Sequence, residues 1–260
     1  MAALTLERRE LQVNGVSTVV LEAGPPTAPP LVFFHGAGTF HGWDFAAPWT
    51  QRFRVLIPFH PGFGESGDDE GLREVHDFVL HYTDLFDQLD LRRDVSLVGF
   101  SLGGLLAARF AIEQKHRLRK LVLVAPAGLR DLENPGPDLF RILPEDLPAM
   151  LVHDLATILP YLPADPHDID FTVARYREMR TTAIVLWEHP FDRVLDRWLG
   201  RVDVPTLLVW GDDDKLIPPG QAETWAKLLP NATVRVFPRA GHLVLDESSE
   251  AAAAVAEFCA

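Results

Sequence analysis

The sequence predicts an α/β domain built on a mostly parallel sheet, and three observations support this prediction. Short, wholly apolar runs recur along the chain and end at Gly, Pro or Asp, as strands buried on both faces do. Segments with helical periodicity separate these runs. The 260 residues are 47% hydrophobic and 23% charged, the proportions of a globular protein with a sizeable core. Strands that alternate with helices pair in parallel through right-handed crossovers.

The sheet is expected to begin antiparallel and then to become parallel. Extended runs at residues 4–13 and 16–21 are joined by Asn14-Gly15, a dipeptide typical of tight hairpins. Six further strands are predicted, at residues 31–34, 55–57, 95–98, 121–124, 206–210 and 233–237. Apolar residues spaced by three and four predict a helix that ends near residue 91. Two further helices are predicted at 105–113 and 247–258, where strong helix formers are frequent.

The alternation of strands and helices breaks between residues 128 and 203. This stretch has no apolar run framed by turns, but it has helical patterns at 145–159 and 172–187. A chain of this length fits one domain that carries an insertion. The sequence therefore divides into the first part of an α/β domain at 1–127, a helical insertion at 128–203, and the second part of the domain at 204–260.

Composition disfavours several classes of protein. The net charge of −13 argues against a nucleic-acid partner, because such binding depends on clustered cations. The single cysteine, Cys259, provides neither a disulfide framework nor a thiolate zinc cluster, and the histidine spacings do not match a zinc hydrolase. We therefore predict no metal and no cofactor. No apolar run reaches the ~18 residues of a membrane helix, and residues 1–10 lack a signal-peptide pattern, so a cytoplasmic protein without a membrane partner is expected.

The strongest chemical signal is the Gly-x-Ser-x-Gly pattern at residues 99–103. It lies between a predicted buried strand and a predicted helix, the context that a nucleophilic serine turn requires. Ser101 would then be exposed at the start of the helix. The alternative is a glycine-rich turn whose serine only caps the helix.

A nucleophilic serine needs a histidine base, and that base needs a carboxylate to orient it. Both residue types follow predicted strands downstream: Asp212, Asp213 and Asp214 come after the strand at 206–210, and His242 comes after the strand at 233–237. In folds with this serine turn, the nucleophile, acid and base occur along the chain in the order Ser, Asp, His. Separately, each group has an ordinary interpretation as a solvated turn or a helix start.

These residues together resemble the α/β-hydrolase superfamily over nearly the whole chain. The resemblance rests on four motifs in order: His-Gly-Ala-Gly at 35–38, Pro-Gly-Phe-Gly-Glu-Ser at 61–66, the serine turn at 99–103, and Gly211 to Pro218 followed by Gly241-His242. It implies a mostly parallel eight-stranded sheet flanked by helices. It also implies that residues 128–203 form a helical cap over the active site.

The resemblance implies a role for each motif residue. Ser101 corresponds to the nucleophile, His242 to the general base and acid, and Asp214 to the acid that orients the imidazole. Asp212 or Asp213 is the second choice for the acid. Some members of the superfamily place the acid after the preceding strand, where Asp131 is the candidate.

The resemblance also implies an oxyanion hole formed by two backbone amides, one after the nucleophile and one after the His-Gly motif. Here these are Leu102 and Ala37, with Gly38 as the alternative to Ala37. His35 is expected to hold the loop. His60 stands where many relatives carry an acidic residue, and the sequence assigns it no role.

Serine as the nucleophile favours acyl transfer, so hydrolysis of carboxylic esters of small to medium-sized soluble molecules is the first function the resemblance implies. Hydrolysis of a carbon–carbon bond in a ring-cleavage product is the second. Relatives with that activity tend to have Asn before the serine and Trp after the histidine, where this chain has Phe100 and Leu243. A third, different class is a small-molecule receptor of this fold with slow or no turnover.

The expected cap supplies candidate substrate contacts. Phe140 and Trp187 are chosen for their bulk, as residues that would line an apolar pocket. The arginines Arg175, Arg177 and Arg180 have two interpretations, either a clamp for a substrate carboxylate or a solvated helix face.

Overall fold

The structure, a computed structural model, describes residues 4–165 and 167–260. Met1–Ala3 lie outside the described residues, as does Pro166 in the predicted insertion. Met1–Ala3 begin the predicted first part of the domain, 1–127, and the stretch searched for a signal peptide.

The protein folds around one eight-stranded sheet, as the sequence predicts. The strand order is β1-β2-β4-β3-β5-β6-β7-β8, with β1, β2 and β4 paired antiparallel and all other pairs parallel. The strands are β1 (Glu7–Val13), β2 (Val16–Ala23), β3 (Pro30–Phe34), β4 (Arg54–Pro58), β5 (Val95–Phe100), β6 (Leu118–Val124), β7 (Thr206–Gly211) and β8 (Ala232–Phe237).

The strand pattern follows from the local sequence. Asn14 and Gly15 both have positive φ, 51° and 81°, so they form the predicted tight turn and place Val13 opposite Val16. Every residue of β5 and β7 is buried, so both faces of the sheet are covered there, as their continuous apolar runs predict. The first strand begins at Glu7, three residues later than the apolar pattern suggests.

Helices flank the sheet and fill the segment between β6 and β7. In chain order they are α1 (Val75–Gln88), α2 (Leu102–Gln114), α3 (Leu147–Leu151), α4 (Ile169–Leu186), α5 (Leu195–Trp198), α6 (Gln221–Leu228), α7 (Val244–Glu247) and α8 (Ser249–Cys259). Helix α4 begins three residues before the predicted start because the Asp168 carboxylate accepts the Phe171 N–H at 2.9 Å and caps the helix there.

Two predicted helices are interrupted. The helix expected at 145–159 ends at Leu151, because the N–H groups of His153 and Asp154 bind the Glu247 carboxylate at 3.0 and 2.8 Å instead of helix carbonyls. The helix expected at 247–258 is preceded by the separate short helix α7. Ser248 divides the two, since its hydroxyl caps α8 by accepting the Ala251 N–H at 3.1 Å.

Residues 128–203, called the insertion below, contribute helices and 3-10 turns but no strand of the sheet within the described residues. Its first residue is joined to a later segment of the insertion by an isolated bridge between Gly128 and Phe191 and by the Asp192 N–H, which donates to the Gly128 carbonyl oxygen at 2.8 Å. Arg109 of α2 forms an ion pair with Asp192. The domain boundaries at 127/128 and 203/204 stay a prediction.

Two histidines pack against each other in the core below the loop that follows β3. His35 and His60 are fully buried, with ring centroids 3.7 Å apart. His35 Nε2 accepts the His60 N–H at 3.0 Å, and His60 Nε2 donates to the His35 carbonyl oxygen at 2.8 Å. His60 Nδ1 accepts from the Tyr82 hydroxyl. These partners assign one neutral tautomer to each ring, and they give His60, unassigned by the sequence, a structural role.

Burial keeps both imidazoles uncharged. Loss of solvent lowers the pKa of His60 to about 3, and the same cause, reinforced by the neighbouring His60, lowers the pKa of His35 well below its usual value. The pair therefore anchors the first residues of the loop without placing a charge in the core.

None of the helices in the described part of the chain has the length and apolar character needed to cross a membrane.

We expect the folded state to lose stability as pH falls from about 7 towards 5. In the unfolded chain these imidazoles bind protons from about pH 6.5, whereas the folded pKa of His60 is about 3. The unfolded state gains protons first, so the free energy of unfolding decreases on acidification. Denaturant unfolding across this pH range measures the slope.

A His60→Gln variant, which cannot titrate, should show a shallower slope, and His116→Gln, at an exposed position, should keep the wild-type slope. An unchanged slope in the His60 variant would contradict the conclusion that buried, uncharged His60 contributes to the pH dependence of stability.

Candidate active site

Ser101 occupies a strained turn between β5 and α2. Its backbone has φ 53° and ψ −117°, outside the regions that non-glycine residues normally adopt. Its carbonyl oxygen accepts the N–H groups of Gly104 and Ala127, both at 2.9 Å, and its own N–H donates to Val124 at 2.9 Å. In the described part of the chain the Ser101 hydroxyl caps no helix N–H, so the alternative of a capping serine does not describe this turn.

Two glycines make this turn possible. A Cβ atom on Gly99 would lie 2.3 Å from the Gly103 carbonyl oxygen, and one on Gly103 would lie 2.1 Å from the Phe34 carbonyl oxygen. Both distances are far inside van der Waals contact. The Gly-x-Ser-x-Gly spacing is therefore a steric requirement for packing α2 directly against β3 and β5.

His242 and Asp214 form a buried hydrogen-bonded pair. His242 Nδ1 lies 2.8 Å from Asp214 Oδ2, and both residues are buried. Asp214 Oδ1 accepts the N–H groups of Leu216 and Ile217 at 2.9 and 2.8 Å, which holds the carboxylate in place. The Phe100 ring packs on the imidazole with centroids 4.9 Å apart. A carboxylate at Nδ1 favours the tautomer that leaves Nε2 as a proton acceptor.

The alternative acids have other partners. The Asp213 carboxylate lies 2.9 Å from His153 Nδ1, and this hydrogen bond lowers the pKa of Asp213. Asp212 accepts the Ala240 N–H at 3.4 Å. Asp131 binds the Thr224 hydroxyl at 2.6 Å and caps a local turn. The structure thus pairs His242 with Asp214, the first of the four candidates.

The two residues predicted to supply the oxyanion amides line the same cavity as Ser101. Leu102 is the first residue of α2, and N–H groups in the first turn of a helix have no intrahelical acceptor. Ala37 and Leu102 both line the cavity, whereas Gly38, the alternative to Ala37, is not among the described residues that line it. Gly38 lies instead against Arg175 and Phe40.

The loop that carries His242 is fastened on both sides of the histidine. The Gly241 N–H donates to the Glu247 carboxylate at 2.6 Å, and the Leu243 N–H donates to the Leu151 carbonyl oxygen at 2.9 Å. Glu247 also binds His153 and Asp154 of the insertion. The sequence patterns did not single out Glu247, since only the folded chain brings it to these backbone groups.

A cavity of about 370 Å³ connects these groups. Ser101, His242, Ala37 and Leu102 form one part of its wall, and the remaining lining is mostly apolar. The other lining residues are Ala127, Gly128, Leu129, Arg130, Asp131, Leu132, Pro135, Gly136, Pro137, Leu139, Phe140, Thr182, Leu186, Pro190, Phe191, Leu216, Ile217 and Gln221. Most of them belong to the insertion, so this segment forms most of the cavity wall.

The two predicted substrate contacts are placed differently. Phe140 lines the cavity, as expected. Trp187 does not: it is 67% exposed and lies outside the set of described residues that form the wall. It follows the last residue of α4 and packs edge-on against Phe140, with centroids 5.2 Å apart. Side-chain bulk alone therefore misplaced Trp187.

The three arginines of α4 fit neither single interpretation. Arg175 pairs with Glu178 of the same helix and packs on the Phe40 ring, and Arg177 donates to Asp68 at 3.0 Å and to the Gly64 carbonyl oxygen at 2.9 Å. Both therefore hold α4 to neighbouring loops. Arg180 is exposed and matches the solvated face. None of the three is among the described residues that line the cavity.

Comparison with known proteins agrees with this architecture. A model of the alpha/beta hydrolase family matches residues 31–258. A 2-hydroxy-6-oxo-2,4-heptadienoate hydrolase of Pseudomonas putida is 28% identical, over 93% of this chain and 91% of the relative. Lipase 1 of Psychrobacter immobilis is 26% identical, over 91% of this chain and 80% of the relative.

Among solved structures, a serine hydrolase involved in carbazole degradation superposes with a TM-score of 0.78, covers 98% of each chain and is 24% identical. This likeness concerns the fold. The family match begins within β3 and spans the sheet from there to β8, the serine turn and the Asp214–His242 pair. The chain belongs to the alpha/beta hydrolase family.

Proposed function

We propose that this protein is a serine hydrolase that cleaves carboxylic esters of small to medium-sized soluble molecules through an acyl-enzyme on Ser101. The observation that carries the proposal is the buried His242–Asp214 pair, whose histidine lines one cavity together with a serine held in a strained turn. This combination supplies a base, its orienting acid and a nucleophile.

In the first half of the proposed reaction, the Ser101 hydroxyl oxygen attacks the ester carbonyl carbon while His242 Nε2 takes the hydroxyl proton. The carbonyl oxygen becomes an oxyanion, which accepts hydrogen bonds from the Leu102 and Ala37 N–H groups. The positive imidazolium is stabilised by Asp214. The carbon–oxygen bond to the alcohol then breaks, and His242 gives its proton to the departing alkoxide.

In the second half, water replaces the alcohol. His242 takes a proton from the water as its oxygen attacks the acyl carbon, the same amides hold the second oxyanion, and the bond to Ser101 breaks. The proton on His242 returns to the serine oxygen, and the carboxylic acid leaves. The residues above carry out every step without a metal or cofactor.

The cavity suggests the class of acyl group. A volume of about 370 Å³ with mainly apolar walls suits an uncharged acyl chain of moderate length rather than a polymer. Small-molecule esters are therefore the expected partners. The proposal includes no nucleic-acid or membrane partner, and it includes a cytoplasmic location.

A second candidate is hydrolysis of a carbon–carbon bond in a ring-cleavage product. Two observations favour it. The Pseudomonas putida relative is named as a 2-hydroxy-6-oxo-2,4-heptadienoate hydrolase. Arg130, an exposed residue of the cavity wall whose guanidinium lies 5.3 Å from the centre of the Phe191 ring, is a cation near the cavity, and a substrate carboxylate pairs with a cation. Phe100 and Leu243, which flank the serine and histidine, favour the ester instead.

We expect Ser101→Ala to lower kcat for p-nitrophenyl esters by about 10⁴-fold or more, because the nucleophile is lost. Steady-state rates with esters from acetate to decanoate measure this and locate the optimum of acyl length. Ser249→Ala, at an exposed position on α8, is the matched control and should keep wild-type rates. Full activity in Ser101→Ala would contradict the proposal.

We expect Asp214→Asn to lower kcat by about 10⁴-fold, because the amide favours the wrong imidazole tautomer. Asp213→Asn is a matched control one residue away. Its carboxylate is 40% exposed and pairs with His153 and Lys215, so we expect less than about a threefold change. Equal losses in the two variants would exclude Asp214 as the orienting acid.

We expect kcat/KM for the best p-nitrophenyl ester to exceed that for 2-hydroxy-6-oxo-2,4-heptadienoate. Both reactions are followed by absorbance with the same enzyme preparation. A higher kcat/KM for the dienoate would select the second candidate. Tight binding of either compound with a stalled product would select a receptor.

A further inference from the structure

A buried carboxylate of the insertion reaches the loop that follows β3. Glu178, in the middle of α4, is only 2% exposed. Its oxygens accept the Thr39 hydroxyl at 2.6 Å, the Thr39 N–H at 3.3 Å and the Gly64 N–H at 3.2 Å. One side chain of the insertion is thus bonded to two loops of the sheet domain.

Arg175 lies one helical turn before Glu178 and completes this contact. Its guanidinium pairs with Glu178 and lies 4.8 Å from the centre of the Phe40 ring. A Cβ atom on Gly38 would come within 2.8 Å of Arg175 Nη1, so the guanidinium lies directly on the backbone there. Together Arg175 and Glu178 contact residues 38, 39 and 40.

Such a pair has a geometric rather than an energetic advantage. Taking two charges out of water costs about as much free energy as their attraction returns, so apolar residues of similar size often give equal stability. The pair instead fixes the positions of its neighbours, because a carboxylate that accepts several hydrogen bonds permits few arrangements of the donor groups around it. The groups that it fixes here are those of the loop next to Ala37.

Ala37 lies between two anchors of this loop. On one side, His35 is bonded to His60 in the core. On the other side, Thr39 is bonded to Glu178 of the insertion. Only Gly36 and Gly38 separate Ala37 from these anchors. Removal of the second anchor would leave the Ala37 amide fixed from one side.

We propose that Glu178, supported by Arg175, is a positioning residue that acts from the insertion, through Thr39, to hold the Ala37 amide in the oxyanion hole. This inference rests on the proposed function, because it needs an oxyanion at Ser101. The expected effect is large: an oxyanion donor must lie about 2.7–3.1 Å from the developing charge, and displacement by about 1 Å can cost ~100-fold in rate.

The sharpest test changes Thr39, because the Arg175–Glu178 pair stays intact. Thr39→Val has nearly the same shape but no hydroxyl, and Thr39→Ser restores the donor. We expect Thr39→Val to lower kcat for the best p-nitrophenyl ester by about 10- to 100-fold with little change in KM. Thr39→Ser should recover most of the rate.

A second measurement tests the oxyanion hole by inhibitor binding instead of turnover. A phenylboronic acid forms a tetrahedral adduct on a nucleophilic serine, with an oxygen in the oxyanion hole. Its inhibition constant should rise in Thr39→Val by a factor similar to the fall in kcat, at unchanged Tm. A purely structural role would lower Tm and leave kcat and the inhibition constant of the folded enzyme unchanged.

Two further variants make the test specific. Thr50→Val removes a hydroxyl that is also half-buried and donates to Ala47 at 2.8 Å, in a turn away from the cavity. It should keep the wild-type kcat. Glu178→Gln, which keeps an acceptor for Thr39 but removes the charge that pairs with Arg175, should lower kcat less than Thr39→Val does.

Reaction of Ser101 with a fluorophosphonate separates this inference from the proposed function. If the wild type neither reacts with the probe nor hydrolyses esters, the proposed function fails and the inference falls with it. If the wild type reacts with the probe, and Thr39→Val matches the wild type in labelling rate, boronate affinity and kcat, only the positioning role is overturned. A slower reaction in Thr39→Val, rescued in Thr39→Ser, supports the inference.

Discussion

The strained backbone at Ser101 is the constraint on which the rest of the site depends. A positive φ at a non-glycine residue costs free energy, and here it is maintained by β5, buried at every position, and by two glycines that let α2 pack against the sheet. Because the turn comes at the carboxyl end of a central parallel strand, the loops after β3, β7 and β8 surround it. Ala37, Asp214 and His242 each follow one of those strands.

The residues around this turn are held in two different ways. Below the site, the His35–His60 pair is neutral, and its hydrogen bonds are satisfied without charge. Above it, the Glu178 carboxylate of the insertion binds the N–H groups of Thr39 and Gly64. The Glu247 carboxylate binds the N–H groups of His153, in the insertion, and of Gly241. The insertion and the loops of the site therefore form one hydrogen-bonded unit, and movement of α4 would be transmitted to the loop after β3.

Much of the fold could be predicted because its signals are local. The Asn14-Gly15 turn, the apolar runs of β5 and β7 and the glycines around Ser101 depend on neighbours within a few residues. The errors occur where distant groups compete. The helix expected at 145–159 ends at Leu151 because Glu247, far along the chain, binds the next N–H groups. Local periodicity contains no information about such a partner.

The sequence by itself determined the sheet, the strained serine turn and the order Ser101, Asp214, His242, because steric rules and periodicity act between near neighbours. The tertiary structure decided which aspartate pairs with His242, that Ala37 rather than Gly38 faces the cavity, and that Trp187 lies outside it. It also joined Glu178 to Thr39, 139 positions away. These outcomes depend on groups that are far apart in the sequence, and only the distances in the folded chain decide them.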